Sequence, residues 1–82
     1  MAQVQLLQAF SLRINQLLVE KNMNLNKLKQ TSGLSYSTLI NILKMKNKNI
    51  KFKTVVKLAK GFNMELFEFL DYMAFSYENL TK

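Results

Sequence analysis

The residues best equipped for recognition chemistry stand close together, at Tyr36, Ser37, Ile40, Asn41 and Lys44. Their spacing places them on one side of a helix, because residues three, four and seven apart share a face. The Asn41 carboxamide donates and accepts at once, which matches the paired donor and acceptor on the major-groove edge of adenine. The Ser37 hydroxyl can serve either role at a base edge, and Tyr36 and Ile40 offer apolar surface to a thymine methyl. Lys44 closes the same face with a positive charge. This is chemistry for binding rather than for making bonds. The chain has no histidine and no cysteine, and no glycine loop that could cradle a phosphate. Four of its five carboxylates gather at one end, and Ser35 and Ser37 have no base beside them. No catalytic residue, metal site or cofactor is expected.

Charge surrounds that face. Of 12 basic residues, ten are lysines between positions 21 and 64, a stretch without a single acid. They are Lys21, Lys27, Lys29, Lys44, Lys46, Lys48, Lys51, Lys53, Lys57 and Lys60. The acids Glu65, Glu68, Asp71 and Glu78 follow, and the net charge is +7. A cationic block of this kind is a polyanion footprint.

The elements that must position these residues follow from apolar periodicity. With 82 residues, 49% of them apolar, and no proline, one all-α domain over residues 1–82 is expected. Val4, Leu7, Phe10, Ile14, Leu17 and Leu18 line one face of a first helix that ends near Lys21 and Asn22. Asn24 is placed to cap a second helix from Leu25 to about Ser32, and Gly33 ends it where a left-handed backbone is cheapest. Leu34 plugs the turn, Ser35 caps, and a third helix from Tyr36 to about Met45 buries Leu39, Ile42 and Leu43. The polar run Lys46-Asn47-Lys48-Asn49 is a loop. Ile50 and Phe52 lead into a fourth helix with Val55, Val56, Leu58 and Ala59 inward, stopped by Gly61. A fifth helix over 65–77, with Glu65 at its N-terminus, buries Leu66, Phe69, Leu70 and Met73. Short helix, glycine, buried residue, capping serine and second helix together make a helix-turn-helix, whose second helix fits the DNA major groove.

At this point the chain resembles the lambda-repressor-like, or XRE, helix-turn-helix family. The resemblance runs from Phe10 to about Leu70. It is carried by Asn24-Leu25-Asn26-Lys27-Leu28, Gly33-Leu34-Ser35-Tyr36-Ser37-Thr38-Leu39, Lys46-Asn47-Lys48-Asn49 and Thr54-Val55-Val56-Lys57-Leu58-Ala59. It implies a compact five-helix domain that binds operator DNA, commonly as a dimer on a palindromic site. Tyr36, Ser37 and Asn41 then fall where the family reads bases, with Ile40 and Lys44 on the same face. Asn24, Lys46, Lys48 and Lys51 fall where it grips phosphates, and Lys27 joins them. The chain departs from the family pattern in several places. Lys29 stands where a small residue is usual, so it must reach outward. Met45 replaces a glycine and Ile50 a proline. Leu25 replaces a glutamine, and Leu18 and Leu43 replace a buried ion pair.

The expected partner is therefore double-stranded DNA. Arg13 is the only arginine, and guanine is most often read by arginine, so A·T-rich half-sites are expected. The fifth helix carries more apolar surface than one core face uses. Phe67, Ala74, Phe75 and Tyr77 are candidates for a homodimer interface, or else they pack back on the first helix through Leu6, Leu7 or Phe10. A protein-interaction module of the same fold, such as an antitoxin or anti-repressor, is the alternative reading. No secretion leader and no small-molecule domain are expected, and no apolar run is long enough for a membrane span. A transcriptional regulator in the cytoplasm is the expectation.

Overall fold

The computed structural model describes residues 4–46, 49–72, 75 and 80–81. Five helices follow one another: α1 Leu6–Glu20, α2 Leu25–Ser32, α3 Tyr36–Leu43, α4 Phe52–Gly61 and α5 Leu66–Leu70. One small addition joins this all-helical arrangement. β1, Val4–Gln5, pairs in parallel with β2, Leu80–Thr81, Val4 opposite Leu80 and Gln5 opposite Thr81. Val4, expected on the helical stripe, lies ahead of α1 in this strand.

The core forms where the apolar stripes meet. Phe10, Ile14 and Leu17 of α1 are buried with Leu28, Leu34, Leu39, Ile42, Val55, Leu58, Ala59, Phe62 and Phe69. Leu18 and Leu43, in place of a buried ion pair, are partly buried against this cluster, an exchange that matched hydrophobes tolerate well. The Ser11 hydroxyl ties α1 to α3 by donating to the Leu43 carbonyl at 3.0 Å. Val56, expected inward, is 39% exposed, because Val55, Leu58 and Ala59 already fill the inward arc of α4.

Helix ends explain much of the chain's course. After α1, α3 and α4, one residue turns left-handed: Asn22 at φ 53, Met45 at φ 57 and Asn63 at φ 57. In each case the next N–H reaches back to a carbonyl in the last turn: Met23 to Leu18 at 2.8 Å, Lys46 to Asn41 at 2.9 Å, Met64 to Ala59 at 2.9 Å. These are Schellman closures. Gly61 therefore does not stop α4, as the sequence suggests; Asn63 does. Gly61 is needed for another reason. A Cβ there would lie 2.7 Å from Ser32 Cβ and 3.1 Å from Ser32 Cα, so its missing side chain lets α2 and α4 touch. Gly61→Ala should lower stability by about 1–2 kcal/mol, the overpacking cost of about 1–3 kcal/mol exceeding the gain in helix propensity. Denaturant unfolding measures it, and an unchanged midpoint would show that α2 and α4 can part freely.

α5 is shorter than expected, ending at Leu70 rather than near residue 77. Its start is as foreseen: the Glu68 carboxylate accepts the Glu65 N–H at 2.9 Å. Its end is set by Arg13. The guanidinium donates from Nη2 to the Glu68 carbonyl at 2.7 Å and from Nε to the Phe69 carbonyl at 2.8 Å. In a longer helix the Glu68 carbonyl would take the Tyr72 N–H, which goes to Leu70 at 2.9 Å instead. Phe75 then folds back, its ring 4.8 Å from that of Phe10 and nearly edge-on. Met73, Ala74 and Tyr77 lie outside the described residues.

Candidate nucleic-acid interface

The geometry begins at the turn between α2 and α3. The Asn24 side chain accepts the Lys27 N–H at 2.9 Å and so starts α2. Gly33 closes α2 at φ 77 with its N–H on the Lys29 carbonyl, a conformation that costs other residues about 1 kcal/mol or more. Leu34 is 9% exposed; its N–H donates to the hydroxyl of buried Ser32 at 3.1 Å. Ser35 caps α3 by accepting the Thr38 N–H at 3.1 Å and donating to the Thr38 hydroxyl at 2.8 Å. The chain thus reverses between two capped helices, with every bend accounted for by a hydrogen bond or an apolar anchor.

This packing decides which side of α3 is open. Leu39 and Ile42 are fully buried and fix one side against the core. The other side presents Tyr36 at 49% exposure, Ser37 and Lys44 exposed, and Ile40 and Asn41 half-buried. The five residues with recognition chemistry therefore lie together on the outward arc. Leu25, in the place of a family glutamine, is half-buried and packs on the core. Lys29 is exposed, so it points outward rather than into the contact between helices.

The lysines frame this face. Lys27, beside the capped start of α2, is exposed, as is Asn24. Lys46 and Lys51 come together across a groove of about 490 Å³ between α3 and the start of α4, which Thr38, Asn49 and Thr54 also line. Lys51 is the N-cap of α4 and forms no side-chain cap. Its carbonyl takes the Thr54 and Val55 N–H groups at 2.9 and 3.1 Å. The Phe52 and Lys53 N–H groups at the helix start have no intrahelical acceptor, so they strengthen the positive end of its dipole. Lys48 lies outside the described residues.

The three polar residues of this groove escape a reading of α3 alone. Thr38 is i+3 from the capping serine, and Thr54 is i+3 from Lys51, so helical spacing could have placed both beside the lysines. Asn49 has no periodic signal, since it belongs to the loop. Among the described residues there is no cluster of three or more histidine, cysteine, aspartate or glutamate side chains that could hold a metal. No helix among them is long and apolar enough to cross a membrane.

Met45 bears the strain of this site. A methionine at φ 57 adopts a conformation that suits glycine, and that is the residue the resemblance places there. Met45→Gly should stabilise the domain by about 0.5–1 kcal/mol, part of the strain relief being offset by glycine's larger unfolded-state entropy. The melting midpoint should rise by a few degrees. A fall would mean that the exposed thioether makes contacts worth more than the backbone strain.

A family model described as a Cro/C1-type HTH DNA-binding domain matches residues 13–74. No curated protein and no solved structure matches the chain.

Proposed function

The chain belongs to the Cro/C1-type helix-turn-helix DNA-binding domain family, and from that premise we propose that it is a transcriptional repressor that sets α3 in the major groove of operator DNA. The observation that carries this reading is the two-sided character of α3. Leu39 and Ile42 hold its inner side in the core, while Tyr36, Ser37 and Lys44 stand open and Asn41 half-open beside them. Asn41 pairs with an adenine edge, Ser37 with a neighbouring base, and Tyr36 and Ile40 lie against thymine methyls. Lys46 and Lys51, joined by Asn24, Lys27 and Lys48, take the flanking phosphates and fix the register.

The operator is A·T-rich. Arg13, the one arginine, spends its guanidinium inside the protein, 7% exposed and bonded to Phe69, Glu68 and Gln16. No bidentate guanine reader remains, and lysine is a weaker substitute. The protein works as a homodimer on a palindrome whose half-sites lie about 34–36 Å apart, one turn of DNA. Phe67, 74% exposed, is available to such an interface, whereas Phe75 is half-buried and packs on Phe10 of its own chain.

Selection of DNA from a random pool by the purified protein tests this directly. The expected product is a palindrome with A·T-rich half-sites. Asn41→Ala should relax one position per half-site and cost about 1–3 kcal/mol per contact. Half-sites rich in G·C, or a selected sequence unaffected by the change, would overturn the assignment of α3 as the reading helix.

A further inference from the structure

The chain has five methionines and no cysteine, so its sulfur chemistry is that of thioethers. Met23 and Met64 are half-buried and packed on the core. Met45 differs from them. It is 49% exposed and stands between exposed Lys44 and Lys46. At φ 57 it holds a backbone conformation that a side chain resists, in the turn that closes α3. Its own N–H reaches the Ile42 carbonyl at 3.1 Å, and the Lys46 N–H reaches the Asn41 carbonyl at 2.9 Å. A single turn therefore joins Asn41, on the reading face, to Lys46, on the wall of the α3–α4 groove. Met45 is the residue on which it turns.

A backbone outlier held at a binding surface points to a function for the residue that adopts it. We propose that Met45 is a redox modification site, whose oxidation by a peroxide to the sulfoxide weakens the hold on DNA. With hydrogen peroxide as oxidant, the sulfur lone pair attacks one oxygen, the O–O bond breaks and an S–O bond forms. The transferred oxygen gives up its proton to the departing hydroxide, which leaves as water. Sulfur loses two electrons and the peroxide gains them. The product is polar where the thioether was apolar. Its oxygen carries partial negative charge and accepts hydrogen bonds, so it draws the ammonium groups of Lys44 and Lys46 and repels phosphate oxygens. The covered half of the side chain loses its apolar contacts in the same step. Both effects fall on the turn that sets Asn41 against Lys46. Two thiols, becoming a disulfide, return the thioether and release water, so the change is reversible. The inference rests on the α3 reading above and adds regulation to it.

Peptide mass spectrometry follows the oxygen transfer without DNA, and titration with the selected operator follows its consequence. Under mild hydrogen peroxide, the Met45 peptide should gain one oxygen well before those of Met23 and Met64. The oxidised protein, its fold checked by circular dichroism, should bind operator about tenfold more weakly, or about 1.4 kcal/mol. A methionine sulfoxide reductase supplied with thiol should restore the affinity. Met45→Leu, which keeps the volume and lacks the sulfur, should bind equally well before and after the same treatment. Met45→Gly makes the same comparison if the leucine variant does not fold. Complete oxidation of Met45 with affinity unchanged would overturn the inference. So would an equal loss in Met45→Leu, or oxidation of Met45 no faster than that of Met23 and Met64. An untreated chain that selects no DNA would instead remove the α3 reading, and this inference would fall with it.

Discussion

Arg13→Ala is expected to lower the folding free energy by about 3 kcal/mol, which in a domain of this size moves the melting midpoint down by roughly 12–24 °C. The expectation follows from what the guanidinium holds. It donates to the Phe69 carbonyl at 2.8 Å, to the Glu68 carbonyl at 2.7 Å and to the Gln16 side chain at 2.8 Å. Gln16 in turn donates to the Glu20 carboxylate at 2.7 Å, so the cation is linked through one helical stripe to an exposed anion. The guanidinium also lies 5.0 Å from the Tyr72 ring centroid and 5.9 Å from that of Phe69, where a ring quadrupole attracts it. Truncation leaves carbonyls at the end of α5 without these donors and opens a gap against two aromatic rings. Arg13→Lys should recover little, because one ammonium cannot reproduce a planar fork that serves three acceptors. Thermal denaturation of both variants measures this, and a midpoint within 3 °C of the natural chain for either would show that α5 is held by its apolar contacts alone.

Arg13 also marks the limit of what could be read from the sequence. Nothing in the chain signals its structural role, since the carbonyls it holds lie 55 and 56 residues away and are backbone atoms, which carry no residue signature. The length of α5 escaped for the same reason: periodicity runs on past Leu70, and only the guanidinium shows where the helix stops. Gly61 misled because a glycine near a helix end has two physical uses, a left-handed turn or a close approach, and spacing does not separate them. Local features were legible. Asn24 and Ser35 cap the helices they precede and Gly33 turns left-handed, because each depends on atoms within four residues, and Leu39 and Ile42 are buried as their helical spacing indicates. The outward face of α3 was legible as their complement. The groove of Lys46 and Lys51 was half-legible, since charge and family resemblance point to the lysines but not to Thr38 and Thr54 between them.

Raising salt from 50 to 200 mM should weaken operator binding on the order of 10²-fold for each bound domain, and by about the square of that for a two-fold pair. The estimate takes four phosphate-bound lysines per domain, Lys27, Lys46, Lys48 and Lys51, and the slope of roughly −0.9 per neutralised phosphate in log affinity against log salt. Lys51→Ala should reduce the slope by about 0.9 for each domain bound and weaken every sequence alike. Asn41→Ala should lower affinity for the selected operator and leave the slope unchanged, since a base edge holds no condensed counterion. Titrations with the selected operator and with an unrelated duplex at four salt concentrations separate the two effects. The contrast matters because the cationic surface is larger than the reading face. Were affinity to come from the lysines alone, Asn41→Ala would change nothing and the operator would bind no better than the unrelated duplex. Discrimination arises only if α3 is seated deeply enough for a carboxamide to meet a base edge. In the proposed binding mode that depth is set by Leu34 and the capped turn behind it, so an exposed polar face could read sequence only where a buried apolar residue holds it at the right angle.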